Sequence, residues 1–266
     1  MPPMDVEVTC QGAIATLRLN RPDKRNAVTI DMWRAIAGHC AGLAGDPDVR
    51  VLVVRGTGEH FCAGADIAAL GTADDVILLD ANRAADDALT SFPKPTIAFI
   101  AGSCVGGGAE IAIACDLRIA DTTSRFGITP ARLGLLYPRF ALERAVRLIG
   151  ASAAKHLLYS AELVDAHHAL RIGLVDEVHE PAAAIERVDA LAKLLSERSL
   201  LTQCGSKEMV DSIVEHGVVT DDVDRRWRAE MARSTDRAEG IAAFLERRQP
   251  RFTWTGAVPT AARGDG

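Results

Sequence analysis

The run Gly106-Gly107-Gly108-Ala109-Glu110 constrains this chain most, because it places bare backbone and a carboxylate where a strand must hand over to a helix. Upstream, Thr96-Ile97-Ala98-Phe99-Ile100-Ala101 follows Pro93 and Pro95 as a strand-like run, and downstream Glu110 to Ala114 is apolar and helix-compatible. The glycines are therefore predicted to lie at a helix N-terminus. Unpaired N–H groups and the positive end of the helix dipole favour an anionic ligand oxygen there, and glycine lets a ligand come close to the backbone. A tight turn between strand and helix would use the same residues, so this run alone leaves both readings open.

A second segment repeats the pattern. Val51-Leu52-Val53-Val54-Arg55-Gly56 reads as a buried strand, followed by Thr57-Gly58-Glu59-His60 and then Phe61-Cys62-Ala63-Gly64-Ala65-Asp66-Ile67, which enters a helix. Two strand ends that each offer a free N–H can converge on one carbonyl oxygen. Recurrent strand–helix–strand units predict an α/β core. Before it, Val6–Cys10 and Ala13–Leu19 flank Gln11-Gly12 as a hairpin. Thr29 or Asp31 caps a helix reaching about Leu43, which gives way at Gly45-Asp46-Pro47 to the Val51 strand. A helix is predicted over 74–91 and a strand over 116–120. From Arg139 onward the pattern is mostly helical, with Gly173–Val178 as a short strand and helix almost to Phe244. The division is placed near residue 200: 1–200 as the core, 201–266 as a helical region with Trp227 and Met231 on apolar faces and a frayed tail from Thr253.

With 266 residues, 48% of them hydrophobic, the chain can bury a sizeable core. A net charge of −6 offers no basic surface for nucleic acid, while local Lys and Arg can still bind phosphates against the global field. Cys10, Cys40, Cys62, Cys104, Cys115 and Cys204 lack metal-type spacing and read as reduced, mostly buried thiols. The start, Met1–Asp5, has no signal-peptide pattern, and no apolar run approaches the ~20 residues of a membrane helix. A soluble, cytoplasmic protein is expected.

The two small-residue loops resemble those of the crotonase, or enoyl-CoA hydratase/isomerase, superfamily. Phe61-Cys62-Ala63-Gly64-Ala65-Asp66-Ile67 is similar to its first oxyanion loop and Gly106-Gly107-Gly108-Ala109-Glu110 to its second. Arg21-Pro22-Asp23-Lys24-Arg25-Asn26-Ala27 is similar to its coenzyme A-binding turn, Ala114–Ala120 to its next strand, and Phe244–Phe252 to its terminal signature. The resemblance implies an α/β crotonase-like spiral of repeated ββα units with a helical C-terminal region, assembled as a homotrimer or dimer of trimers. It implies a coenzyme A thioester as substrate, with no permanently bound cofactor. The backbone donors fall on Ala65 and Gly107, and Glu110 aligns with one of the two glutamates that activate water in hydratases. Substrate contacts fall on Lys24, Arg25, Ala27, Ala63, Gly64, Asp66, Ile67 and Gly106, with Asp66 also suited to capping the next helix. Lys207 is a further candidate for a coenzyme phosphate.

One departure is local to the reacting end. The hydratases' second glutamate follows a Phe-Gly pair, and in Phe126-Gly127-Ile128-Thr129-Pro130-Ala131-Arg132-Leu133-Gly134 its position is Pro130, which cannot transfer a proton. The glycine-rich turn that follows is replaced by Leu136-Tyr137-Pro138-Arg139-Phe140-Ala141. Hydration of a trans-2-enoyl-CoA is the default expectation, with double-bond isomerisation or other one-carboxylate chemistry through Glu110 next, and a non-catalytic acyl-CoA-binding subunit as the reading from another class. Arg139 and Glu143 fit an exposed ion pair, Tyr137 either orients substrate or packs, His60 is a candidate substrate contact, and the helix with Leu78, Leu79, Asn82, Arg83 and Asp86 is a candidate wall of the acyl pocket whose inward face the sequence leaves open. His167-His168 lack a carboxylate at ligand spacing, and no metal is expected.

Overall fold

The computed structural model of the protein describes residues 4–66 and 75–256. β1 (Val6–Gln11) and β2 (Ile14–Leu19) form the expected antiparallel hairpin, with Gln11 opposite Ile14. Thr29 caps α1 (Ile30–Gly45), its hydroxyl oxygen accepting from the Met32 N–H. β3 (Val51–Gly56) follows, then α2 (Asp75–Thr90) and β4 (Thr96–Ile100). The main sheet runs β1-β2-β3-β4-β6-β9, where β6 is Leu117–Asp121 and β9 is Glu177–His179. Every pairing after the hairpin is parallel.

The unbroken apolar run of β3 follows from cover on both faces. Val51 and Val53 join Ala184, Val188 and Ala192 of α6 (Pro181–Ser196), whereas Leu52 and Val54 belong to the larger core with Trp33, Ile36 and Leu89. Burying each such side chain contributes about 1.5–3 kcal/mol, so this central strand anchors both layers. α/β architecture with parallel strands is as expected.

A second, three-stranded sheet was not anticipated. β5 (Ser103–Val105) lies parallel to β7 (Arg125–Gly127), which pairs antiparallel with β8 (Val164–Asp165). Between β5 and β6 sits α3 (Gly107–Ala114), buried at every residue, so it is apolar all round except at Glu110. α4 (Arg139–Ser160) breaks at Gly150, where φ is 75°, and α5 (Ala166–Arg171) precedes β9.

The C-terminal stretch is three helices: α7 (Leu200–His216), α8 (Asp221–Arg233) and α9 (Asp236–Leu245). Leu200, Leu201, Cys204, Val223 and Trp227 form their own small core. Met231 is exposed, contrary to expectation, although it stands one turn after the buried Trp227 on the same helix face; the packing ends at Trp227, nearly two turns before the end of α8. The strand predicted over Gly173–Val178 begins only at Glu177. Gly173, at φ 77°, ends α5, and Leu174 and Val175 bury their side chains in the turn. Thr253 and Trp254 are held, not frayed, since both backbone N–H groups donate to Asp236 Oδ1, at 3.0 and 3.2 Å. Residues 257–266, Ile67 and the helix predicted after Ala65 lie outside the described residues. All six cysteines are free, and Cys10 alone is exposed.

Candidate functional site

The two small-residue loops meet. Residues 61–63 run alongside β5: Cys62 N–H donates to Ser103 O at 2.8 Å, and Val105 N–H returns to Cys62 O at 3.0 Å. Glycine makes this approach possible. A Cβ on Gly108 would lie 2.4 Å from Cys62 O, inside any tolerable contact. Gly64 takes a φ of 115° and Gly106 a φ of 52°, a region where L side chains are strained.

The clamp brings the expected donors together. A Cβ placed on Gly107 would stand 3.4 Å from Ala65 N, so the two backbone N–H groups border one small space. Among the described residues neither N–H has an acceptor, whereas the amides of Ala63, Gly64, Asp66 and Gly106 are all bonded within the chain. Two free donors beside a helix N-terminus can hold an oxygen on which negative charge develops.

Glu110 lies one turn into α3, where helical side chains lean back toward the N-terminus. It is 5% exposed, and Asn82 Nδ2 of α2 donates to its Oε2 at 2.8 Å. Burial pushes its carboxyl up to about 7, the Asn82 hydrogen bond pulls it down, and the nearby Asp86 carboxylate adds to the rise. Such a group both gives and takes a proton near neutrality. Trp33, Asn82, Asp86, Leu89 and Ile111 close around it, leaving no room for a water-sized sphere.

The basic turn is attached to the first loop. Ala63 N–H donates to Arg25 O at 2.9 Å, and Val28 N–H to Gly64 O at 2.8 Å. Lys24 and Arg25 are exposed, and Ala27 O accepts from Arg21 Nη1 at 2.7 Å. The same guanidinium reaches Asp66 Oδ2 at 3.0 Å, so Asp66 braces the turn. Asn26, which sequence reasoning passed over, is fully buried and bonds the carbonyls of Thr57 and His60. It takes a left-handed φ of 57° beside Arg25 at 48°, a region in which asparagine is enriched, so an asparagine within this polar turn was the one sequence cue.

Other candidates take structural places. His60 Nδ1 accepts from Ser103 N–H at 3.1 Å, pinning β5 to the first loop. The Tyr137 hydroxyl donates to Gly106 O at 3.3 Å, with burial keeping the phenol well above its ordinary range and therefore neutral. Arg139 and Glu143 pair in solvent at 2.8 Å. Lys207 is engaged within the chain, 2.9 Å from Asp116. Pro130 opens a 3-10 turn through Arg132 and supplies no acid. Of the helix named as a candidate pocket wall, Asn82 and Asp86 are the residues that face Glu110, while Trp33 beside them and Arg144, the partner of Asp86, were passed over in the sequence.

The loops and α3 thus bring two unbonded backbone N–H groups and one buried carboxyl into the same region. The family model described as enoyl-CoA hydratase/isomerase matches residues 9–255. The chain belongs to the enoyl-CoA hydratase/isomerase family. It is 33% identical over 256 residues to the (E)-benzylidenesuccinyl-CoA hydratase of Thauera aromatica, covering 94% of this chain and 99% of that protein. It is 32% identical over 250 residues to the crotonyl-CoA hydratase of Syntrophomonas wolfei, covering 90% and 94%. An enoyl-CoA hydratase/carnithine racemase structure from Magnetospirillum magneticum superposes with a TM-score of 0.89 at 32% identity, covering 94% of this chain and 96% of that one. Crotonase-fold neighbours thus match nearly the whole architecture. No helix among the described residues is long and apolar enough to cross a membrane.

Proposed function

We propose that the protein acts on acyl-CoA thioesters by stabilising an enolate between the Ala65 and Gly107 N–H groups while Glu110 moves the proton. The observation that carries this reading is the pairing of two unbonded backbone donors with a buried carboxyl whose pKa sits at about 7. Removing the α-proton, or adding a nucleophile at the β-carbon, places negative charge on the thioester oxygen. Donors fixed in advance lower that barrier without reorganising. The default reaction is addition of water to a trans-2-enoyl-CoA to give the 3-hydroxyacyl-CoA, supported by the two relatives named as CoA-thioester hydratases.

Pro130 favours a second reading. With one carboxyl and no partner acid at that position, Glu110 can carry a proton between two carbons of one substrate, which is isomerisation. The test mixes purified protein with a panel of trans-2-enoyl-CoA thioesters, follows loss of the conjugated-thioester absorbance, and identifies products by mass. Water addition that disappears in Glu110→Gln is the expected result. Tight binding without any product would exclude both reactions on these thioesters and leave either other one-carboxylate chemistry through Glu110 or a binding subunit.

Ala63, Gly64, Gly106 and the exposed Lys24 and Arg25 form the proposed coenzyme-binding side. Lys24→Ala is expected to weaken equilibrium binding of coenzyme A several-fold at low salt, with the difference shrinking as salt screens it. Unchanged affinity at low salt would remove Lys24 from the site. Exposed apolar Val210, Ile213 and Val214 on α7, with Phe244 and Leu245 on α9, support subunit association as a trimer or dimer of trimers, which light scattering measures.

A further inference from the structure

We propose that Asn82 and the Asp86–Arg144 pair are positioning residues for Glu110: together they set when its carboxyl carries a proton, a control supplied from α2 and α4 and not by a second acid at position 130. This rests on Glu110 being the reacting carboxyl. The placement begins with helical spacing. Asn82 and Asp86 are four residues apart, so they share one face of α2 with the buried Ala81, Ala85 and Leu89 around them. A helix face that only packs would be apolar there, because burying an amide and a carboxylate is costly unless both are fully bonded.

They are only partly bonded. Asn82 gives its amide hydrogen to Glu110 at 2.8 Å, and Arg144 Nη2 gives one to Asp86 Oδ2 at 2.6 Å. Asn82 Oδ1, Asp86 Oδ1, Arg144 Nε and Trp33 Nε1 are buried without a partner among the described residues. Asp86 is 3% exposed and shares with Glu110 the walls of the same closed space. A buried network left incomplete beside a proton-transferring group retains polar atoms that can respond when that group changes charge.

The two residues act with opposite sign. A hydrogen bond donated to Glu110 favours its anion, whereas a neighbouring carboxylate disfavours it. The remaining groups facing Glu110 are neutral near pH 7. Burial pushes Cys62 of the first loop to about 12, and carries Cys104 of β5 and Tyr137, just ahead of α4, well above their ordinary ranges. On α2 itself, Arg83 and Asp87 pair with each other in solvent at 3.7 Å, and Arg139 and Glu143 do so on α4. Among the described residues, the charge close to Glu110 therefore comes from Asp86, moderated by Arg144.

The experiment follows Glu110 itself. In protein labelled with side-chain carboxyl 13C-glutamate, the Glu110 signal is assigned by its absence in Glu110→Gln and titrated without substrate. Asp86→Asn is expected to lower the midpoint by about one pH unit and Asn82→Leu to raise it by about as much. Should the single Asp86 variant fail to fold with Arg144 left unpaired, Asp86→Asn/Arg144→Gln removes both charges and is expected to lower the midpoint by less. The pH profile of kcat/KM should move in the same directions. Midpoints that stay fixed, or that move the same way in both variants, overturn the proposal. Opposite shifts in a protein that turns over no enoyl thioester uphold the proposal and overturn the reaction assigned above.

Discussion

Replacing Glu110 by glutamine is expected to stabilise the protein at alkaline pH while abolishing its turnover. The carboxyl rises from an ordinary 4.5 to about 7 on folding, chiefly because burial disfavours its charge. The folded state therefore binds this proton more tightly than the unfolded chain does. That contribution is fully present below about pH 4.5 and is lost as pH rises through about 7. At about 1.4 kcal/mol per pH unit, the ionised group costs roughly 3 kcal/mol above pH 8. Glutamine has nearly the same shape, carries no charge to bury, and can accept the Asn82 hydrogen bond. Urea unfolding of the two proteins should therefore coincide near pH 5 and diverge by about 2–3 kcal/mol near pH 9, with the variant the more stable. A gain that is the same at both pH values, or a loss at both, would mean that Glu110 is not held at the raised pKa. The conflict between stability and activity at one residue is what a site that stores an unfavourable charge for chemistry produces.

The parts of the site made of backbone were legible in the sequence, and the parts made by tertiary contact were not. Gly106, Gly107 and Gly108 announce close approach because few other constraints demand three glycines between an apolar strand and an apolar helix. The structure sets Gly108 against Cys62, Gly107 against Trp33 and Ala65, and Gly106 near Gly64, as two converging strand ends implied. Asn82 and Asp86 could be placed on a candidate wall helix but not on its inward face. Asn82 stands 28 residues from Glu110, and which side of an amphipathic helix turns inward is decided only by the fold. Arg144 was hidden because its partner lies on another helix. The small sheet escaped because strands of three, three and two residues are too short to show a period. The family resemblance located Lys24, Arg25 and Ala27, but it was Asn26, between them in the chain, that the fold uses to tie the turn to Thr57 and His60. Glycine and proline govern backbone locally and are visible locally. Side chains that act across elements become visible only when the elements are assembled.

The second large effect separates the two jobs of the loops. Ala65→Pro is expected to leave a folded protein whose kcat/KM falls on the order of 10²–10³-fold, as loss of one such donor does elsewhere. The Ala65 N–H makes no hydrogen bond among the described residues, so proline removes none from the fold. Ala65 is also absent from the positive-φ positions, and the preceding Gly64, at φ 115°, has the freedom that a residue before proline needs. What proline does remove is the donor, and its ring Cδ projects toward the space beside Gly107 that the oxygen should occupy. Gly108→Ala acts on the clamp instead. Its Cβ, fixed rigidly to the helix, would meet the Cys62 backbone oxygen at 2.4 Å, so the loops must separate and stability should fall by about 1–3 kcal/mol together with activity. Exchange of an α-deuterium in a saturated acyl-CoA measures both variants, since it needs the enolate alone and no particular later step. Thermal unfolding supplies the second axis. Ala65→Pro with wild-type stability and lost exchange would place the oxygen at that N–H. Ala65→Pro with unchanged exchange would move the oxygen elsewhere, even if Gly108→Ala behaved as expected, because a clamp can hold the loops without either N–H being the one that does the chemistry.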